Sequence, residues 1–366
     1  MNVHGTPYRT IWAEGRVVKV IDQNRLPHEF VVASWRTLED AATGIRTMQV
    51  RGAPLIGAAA AYGMALGMAE DPSAAGVVRA HEILLETRPT AVNLRWALDR
   101  ATERLGALPE DVRAEAAFLL AAEICDADVA TNRALGGHAV EILRRIAREK
   151  AERAGNGRLN VLTHCNAGWL ATVDVGTATA GIYLAHDAGL PLHVWVDETR
   201  PRSQGARLTA WELGSHGVAH TVVSDTTAPH LMARGDVDVI LVGTDRTTAA
   251  GDVANKIGTY GVALAAKDNG VPFYVAAPSS SIDFHLVDAR RIPIEERSSD
   301  EVTWVTGRTA AGELATVRVL PEGSPAVNYA FDVTPARLVT GIITERGVAE
   351  ASREGLAALF PERVRR

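Results

Sequence analysis

The chain has 366 residues, 47% of them hydrophobic, enough for a large core and, at this length, for two domains rather than one. Its 38 basic and 44 acidic residues leave a net charge of −6 and are interleaved, with no single-sign block of the kind that grips nucleic acid or an anionic membrane, so neither is expected as a partner. Two cysteines, Cys125 and Cys165, build no disulfide framework and suit a reducing compartment; with no signal-like pattern in MNVHGTPYRTIWAEGR, the expected location is the cytoplasm.

Two β-rich runs, Arg16 to Ile21 and Glu29 to Ala33, flank a turn-like Asp22 to Pro27 and predict a hairpin. Helical signals follow from Thr37, from Pro54 to Met68, from Thr90 to Leu105, and over an Ala/Glu/Arg-rich stretch from about Glu110 to Arg153. The uncharged run from Gly52 to Ala69 is long enough to raise the question of a membrane span, but alanine and glycine dominate it. Such small residues gain little in lipid and suit a helix packed tightly inside a protein.

The punctuation Ala154-Gly155-Asn156-Gly157 predicts a domain boundary, with a helical, strand-capped domain over 1–154 and an α/β domain over 155–366. Beyond it the runs Asn160 to Thr163, Leu192 to Val196, Ala219 to Val223, Val237 to Val242 and Pro272 to Ala276 are continuously apolar, as strands buried on both faces of a parallel sheet are. Helical segments lie between them, at Thr177 to Ala188, Gln204 to His216 and Asn255 to Asn269, which predicts a doubly wound α/β fold with right-handed crossovers.

Ligands of such a sheet bind beyond the carboxyl ends of its strands. The residues there are polar: His164-Cys165-Asn166, Asp197-Glu198-Thr199 with Ser203-Gln204, Thr244-Asp245 and Ser279 to Ser281. Parallel strands finish on one side, so these segments share a rim. Cys125, within a helical run, reads as a small buried hydrophobe; Cys165, at a strand end, can meet backbone N–H groups that favour a thiolate. Asp245 reads either as a helix cap or, between Gly243 and Gly251, as part of a loop that a ligand approaches closely. Arg51-Gly52-Ala53-Pro54 opens a helix with proline in the first turn, and Asn255-Lys256 is read as opening another; both can offer a cation and N–H groups to an anion. The phosphate-loop and dinucleotide glycine patterns are missing, His216 and His220 straddle Gly217, and the serines lack a nucleophile elbow, so neither a nucleotide cofactor, a metal nor a serine triad is expected.

The strings RGAPLIGAAAAYG, RPTAVNL, THCNAG, DETRPRSQGARLTAWEL, GTDRT and GDVANKIGTYG together resemble the methylthioribose-1-phosphate isomerase family, over Met48 to about Gly347. That family is related to the regulatory subunits of translation initiation factor 2B and to ribose-1,5-bisphosphate isomerases. The resemblance implies a Rossmann-like C-terminal domain, a homodimer, a small sugar phosphate as partner and no cofactor. It implies that Cys165 and Asp245 are catalytic and that Arg51, Gly52, Ala53, Arg95, Gln204, Asn255 and Lys256 bind substrate. The implied reaction turns 5-methylthioribose 1-phosphate into 5-methylthioribulose 1-phosphate. Two residues depart from the family's pattern, Trp169 and Tyr329, and a Trp169 bordering the substrate's tail would make 5-deoxyribose 1-phosphate an alternative substrate. A non-catalytic regulatory subunit is the alternative of another class, against which Cys165 and Asp245 stand. A cysteine-nucleophile transferase would need a basic partner for Cys165, and His164 points to the opposite face if it lies in a strand.

Overall fold

The computed structural model describes residues 1–155 and 157–364, so Asn156, within the expected boundary, lies outside the described residues. A small ribbon, β1 (Asn2–Val3) with β2 (Thr6–Pro7), precedes an antiparallel sheet of β3 (Ile11–Glu14), β4 (Val17–Ile21) and β5 (Val32–Trp35). The expected hairpin is β4 and β5, paired from Val18 opposite Trp35 to Ile21 opposite Val32. Alternation drives it: Val18 and Val20 are buried, with Lys19 between them on the other face.

Five helices follow: α1 (Leu38–Arg46), α2 (Ala53–Glu70), α3 (Ala74–Thr87), α4 (Val92–Gly106) and α5 (Glu110–Ala154). Thr37 caps α1 through a reciprocal pair of bonds with Asp40. Helix α3, which the sequence reading passes over, starts where the Ser73 hydroxyl accepts from Gly76 N–H. Every residue of α2 from Leu55 to Met68 is buried, because α1, α3, α4 and α5 surround it. Its glycines permit that crowding: a Cβ at Gly63 would meet Leu84 at 2.7 Å, and one at Gly67 would meet Ala80 at 2.9 Å. Among the described residues no helix is long and apolar enough to cross a membrane.

Helix α5 runs 45 residues, about 68 Å at 1.5 Å per residue. Its Ala117, Leu120, Ala121 and Cys125 belong to the core of the N-terminal helices. Its Leu135, Leu143 and Ile146 belong to the core beneath the large sheet. Gly136 lets it approach α6 (Ala178–Asp187), where an added Cβ would touch Leu184 at 2.8 Å and Ala180 at 2.9 Å.

The large sheet contains β6 (Leu159–His164), β7 (Leu192–Asp197), β8 (His220–Val223), β9 (Val239–Val242), β12 (Phe273–Ala276), β17 (Gly341–Thr344) and β18 (Gly347–Ala349). Its spatial order is β18-β17-β12-β9-β6-β7-β8, and all pairs are parallel except that with β18. Numbered along the chain, the six parallel strands lie 3-2-1-4-5-6, the order of a doubly wound sheet whose crossovers diverge between its first and fourth strands. Those strands are β6 and β9. The strand expected at Ala219 to Val223 is not buried on both faces: β8 is the edge strand, with Thr221 and Val222 exposed.

A second sheet, β13-β10-β11-β16, covers the carboxyl ends; it comprises β10 (Arg246–Thr248), β11 (Val253–Lys256), β13 (Ile282–Asp283) and β16 (Phe331–Thr334). Here a sequence expectation is corrected. Asn255 and Lys256 do not open a helix but end β11, paired with Asp332 and Phe331, and α9 (Thr259–Asp268), the helix after α8 (Thr227–Ala233), begins only after Gly258 turns the chain at φ +103°. The hairpin of β14 (Trp304–Arg308) and β15 (Leu314–Arg318) projects from the same side.

Candidate active site

Strand β6 ends at His164, and Cys165 follows with φ +64°, a conformation that costs a non-glycine residue free energy and persists only when its surroundings enforce it. They do. The Cys165 N–H donates to Thr199 Oγ1 at 2.7 Å, its carbonyl accepts from Thr209 Oγ1 at 2.7 Å, and its thiol lies 3.4 Å from Gln204 Oε1. Gln204 leads into a π-helical turn, Gly205–Thr209, whose wider coil precedes α7 (Ala210–Ser215). Asp245 follows β9, its N–H donating to Ala254 O at 3.0 Å, so β11 holds it in place. The two residues thus stand on either side of the divergence point of the sheet, where an open α/β fold has its crevice.

The N-terminal half closes that crevice. Gly52, at φ +106°, lies flush against Ala171, where a Cβ would come within 2.5 Å of the Ala171 backbone. This contact brings Arg51 in beside Cys165. Arg51 donates to the side-chain oxygen of Asn166 and, at 2.6 Å, to its carbonyl. The Asn166 amide is oriented in turn by Thr209 and Glu212. Glu212, with no exposed surface, also accepts from the Trp169 and Leu170 N–H groups and the Tyr183 hydroxyl. Four donors around one buried carboxylate make its charge tolerable.

One cavity of about 630 Å³, its mouth included, is lined by Arg51, Gly52, Ala53, Arg88, Cys165, Gln204, Asp245, Asn255 and Lys256 among others. Every expected site residue except Arg95 is in that lining. Arg95 is exposed on α4 and lies outside it. Arg88, first in the string RPTAVNL and just past the end of α3, stands at the wall instead. It is paired with Glu295 at 2.6 Å, while its buried Nε has no hydrogen-bond partner.

The electrostatics are unbalanced toward the positive. Arg51 and Lys256 are 6% and 8% exposed, and among the described residues neither forms an ion pair with a carboxylate. Lys256 Nζ instead sits 4.8 Å from the centre of the Phe331 ring. Burial pushes both cations below their ordinary pKa values, with Cys165 and Asp245 opposing the shift. Burial pushes the Cys165 thiol up, against the attraction of Arg51 and Lys256 and a bond from Asn166 N–H. It likewise raises Asp245, against Lys256, Arg88 and Arg51. A dianion entering the cavity would relieve the cost of two buried, unpaired positive charges.

Beyond Asp245 and Arg88 the cavity continues into a mainly apolar recess walled by Ile56, Ala91, Val92, Ile292, Pro293 and Phe331, with Thr90 and Arg246 also in its wall. On the opposite side, past Met48 and Gln204, it opens to a vestibule with His28, Arg202, Arg207 and Trp304. Trp169 lines neither: it is fully buried, its ring centre 6.0 Å from that of Trp211, and serves the core under the sheet. Tyr329 is 54% exposed and is also absent from the cavity wall. His164 forms no bond to the thiol, since both its ring nitrogens are engaged elsewhere.

The sequence matches the model of the initiation factor 2 subunit family over residues 49–351. A methylthioribose-1-phosphate isomerase of Rhodospirillum rubrum is 65% identical, over 100% of this chain and 94% of its own length. Among solved structures, 5-methylthioribose 1-phosphate isomerase from Pyrococcus horikoshii superposes with a TM-score of 0.83 at 41% identity, covering 98% of this chain and 97% of that one. The delta subunit of translation initiation factor eIF-2B from A. fulgidus superposes with a TM-score of 0.79 at 36% identity, covering 97% and 100%. The chain belongs to the initiation factor 2 subunit family and, within it, with the methylthioribose-1-phosphate isomerases.

Proposed function

We propose that this protein is an aldose–ketose isomerase that converts 5-methylthioribose 1-phosphate to 5-methylthioribulose 1-phosphate in methionine salvage. The observation that carries the reading is a pair of buried cations without carboxylate partners, Arg51 and Lys256, beside a thiol and a carboxyl in one cavity. The cations and the free Nε of Arg88 suit a phosphate and its neighbouring oxygens, and the apolar recess beyond Asp245 suits a methylthio group. Gln204 and Asn255 would orient hydroxyls.

A phosphate on the anomeric oxygen prevents spontaneous ring opening, so the enzyme must open the ring. Asp245, kept protonated by its burial, gives its proton to the ring oxygen as the bond from that oxygen to C1 breaks. Cys165, acting as the thiolate that Arg51, Lys256 and the Asn166 N–H favour against its burial, takes the proton from C2, forming a C1–C2 double bond. It returns a proton to C1, while the C2 hydroxyl proton passes to Asp245 and leaves a ketone at C2. No cofactor is required. The chain works as a cytoplasmic homodimer, with a helical domain over 1–154 and a Rossmann-like catalytic domain over 155–366.

The test is to supply methylthioribose 1-phosphate and 5-deoxyribose 1-phosphate separately in deuterated water and follow ketose formation by NMR. The expected result is conversion of the methylthio sugar with solvent deuterium at C1, abolished in Cys165→Ser and Asp245→Asn. Conversion of neither sugar would reject the isomerase; solvent deuterium at C1 marks proton transfer, and undiminished conversion by Cys165→Ser would reject the thiol as its carrier.

A further inference from the structure

His164 and Asp197 are register partners at the ends of β6 and β7, and their side chains meet with Nδ1 3.1 Å from Oδ2. The other ring nitrogen, Nε2, lies 2.8 Å from the carbonyl of Ile257, the residue that follows Lys256. The side chains of His164 and Asp197 are 2% and 0% exposed. A carbonyl only accepts, so Nε2 carries a proton; the carboxylate facing Nδ1 then shares a second proton with the ring. The ring is therefore a fixed bridge from the strand that precedes Cys165 to the strand end that carries Lys256.

The surroundings are shaped to that bridge. Gly258 passes against the ring, where a Cβ would lie 2.9 Å from Cε1. The loop is fastened on its other side by Asp332, which accepts from the Gly258 N–H at 2.7 Å and the Tyr260 N–H at 3.1 Å. Thr199 ties the same strand ends together, accepting from Cys165 N–H and donating to the Asp197 carbonyl at 2.9 Å. Burial alone would lower the ring's pKa, but the bond and attraction of Asp197, with the bond to the Ile257 carbonyl and the charge of Asp225, raise it.

We propose that His164 is a positioning residue of the isomerisation: by bonding Asp197 and the Ile257 carbonyl together it sets the separation between Cys165 and Lys256. It thereby places the group that moves the proton relative to the group that holds the phosphate. His164 also lines the cavity, but both its ring nitrogens are engaged by Asp197 and the Ile257 carbonyl, so the ring acts through those neighbours. A misplacement of the base by a fraction of an ångström slows the proton transfer while leaving phosphate affinity largely intact.

The proposal rests on the isomerase reading, and wild-type turnover of methylthioribose 1-phosphate is measured first; its absence would reject that reading rather than the bridge. His164→Gln retains a donor for the Ile257 carbonyl, whereas His164→Asn retains only the Asp197 side. The expected result is a loss in kcat of about 30-fold or more for His164→Asn with KM within about threefold, and a loss below about tenfold for His164→Gln. A loss of folded protein with wild-type kcat in the surviving enzyme would make the residue merely structural and overturn the proposal. So would a rise in KM at unchanged kcat. If neither variant folds, Gly258→Ala, which crowds the ring from the loop side, reads the same split between kcat and KM, and an unchanged kcat there would overturn it.

Discussion

Gly52 and Ala171 are pressed together so closely that a Cβ on residue 52 would lie 2.5 Å from the Ala171 backbone, and this contact fixes where Arg51 enters the cavity. Gly52→Ala adds a steric clash to a φ of +106° that alanine avoids, so a loss of about 3 kcal/mol in unfolding free energy is expected. Urea denaturation measures it, and kcat/KM should fall with it because Arg51 moves.

Arg88 and Arg95 separate site from surface. Arg88→Ala should lower kcat/KM by roughly 100-fold or more, since it removes a wall of the cavity and leaves Glu295 without one of its two cations. Arg95→Ala should leave steady-state kinetics within about twofold. Equal effects of the two substitutions would contradict the placement.

Glu212→Gln keeps the size of the side chain but turns an acceptor into a donor among the Trp169 and Leu170 N–H groups, the Tyr183 hydroxyl and the Asn166 amide. A destabilisation of about 2–3 kcal/mol is expected, with KM rising more than kcat falls, because Asn166 orients Arg51. Thermal unfolding and steady-state kinetics check the two parts.

Asp128, on α5, is pushed up to about 7 by burial, even though it accepts a 2.8 Å bond from the Val173 N–H. Its folded pKa is above that of the unfolded chain, so the folded state holds the extra proton between about pH 4 and 7. Its contribution is fully present below that window and is lost as the pH rises through about 7. Asp128→Asn should match the wild type near pH 4 and exceed it by roughly 1–3 kcal/mol at pH 8 in denaturant titrations. A difference independent of pH would contradict it.

Trp169→Phe should leave the preference between methylthio and deoxy sugars unchanged, because the indole lies outside the cavity wall. It should cost about 1–2 kcal/mol through lost packing, measured by thermal unfolding. The indole N–H has no partner to lose.

Apolar runs bounded by polar residues made the sheet readable, and with it the common rim of Cys165, Gln204 and Asp245. The residues that escaped did so for physical reasons. Asn255 and Lys256 end a strand whose earlier residues pair with nearby β10, but these two pair with Asp332 and Phe331, more than 70 residues away, and no local pattern encodes that pairing. Strand β17 is separated from its neighbour β12 by two strands of the second sheet, β13 and β16, and by the β14–β15 hairpin, so the alternating rhythm of strands and helices stops before it arrives. Arg88 and Arg95 bracket one string, and which of them faces inward depends on the turn between α3 and α4, not on the string itself.

Helix α5 supplies side chains to both cores without a break in its hydrogen bonding. Damage to either core is therefore transmitted along a rigid strut to the other, and a cut or proline in its middle would unseat Arg51 from Cys165 without touching either residue. Arg51, from the helical half, and Cys165, from the sheet, face one another across a crevice whose width is set by a beam lying outside it.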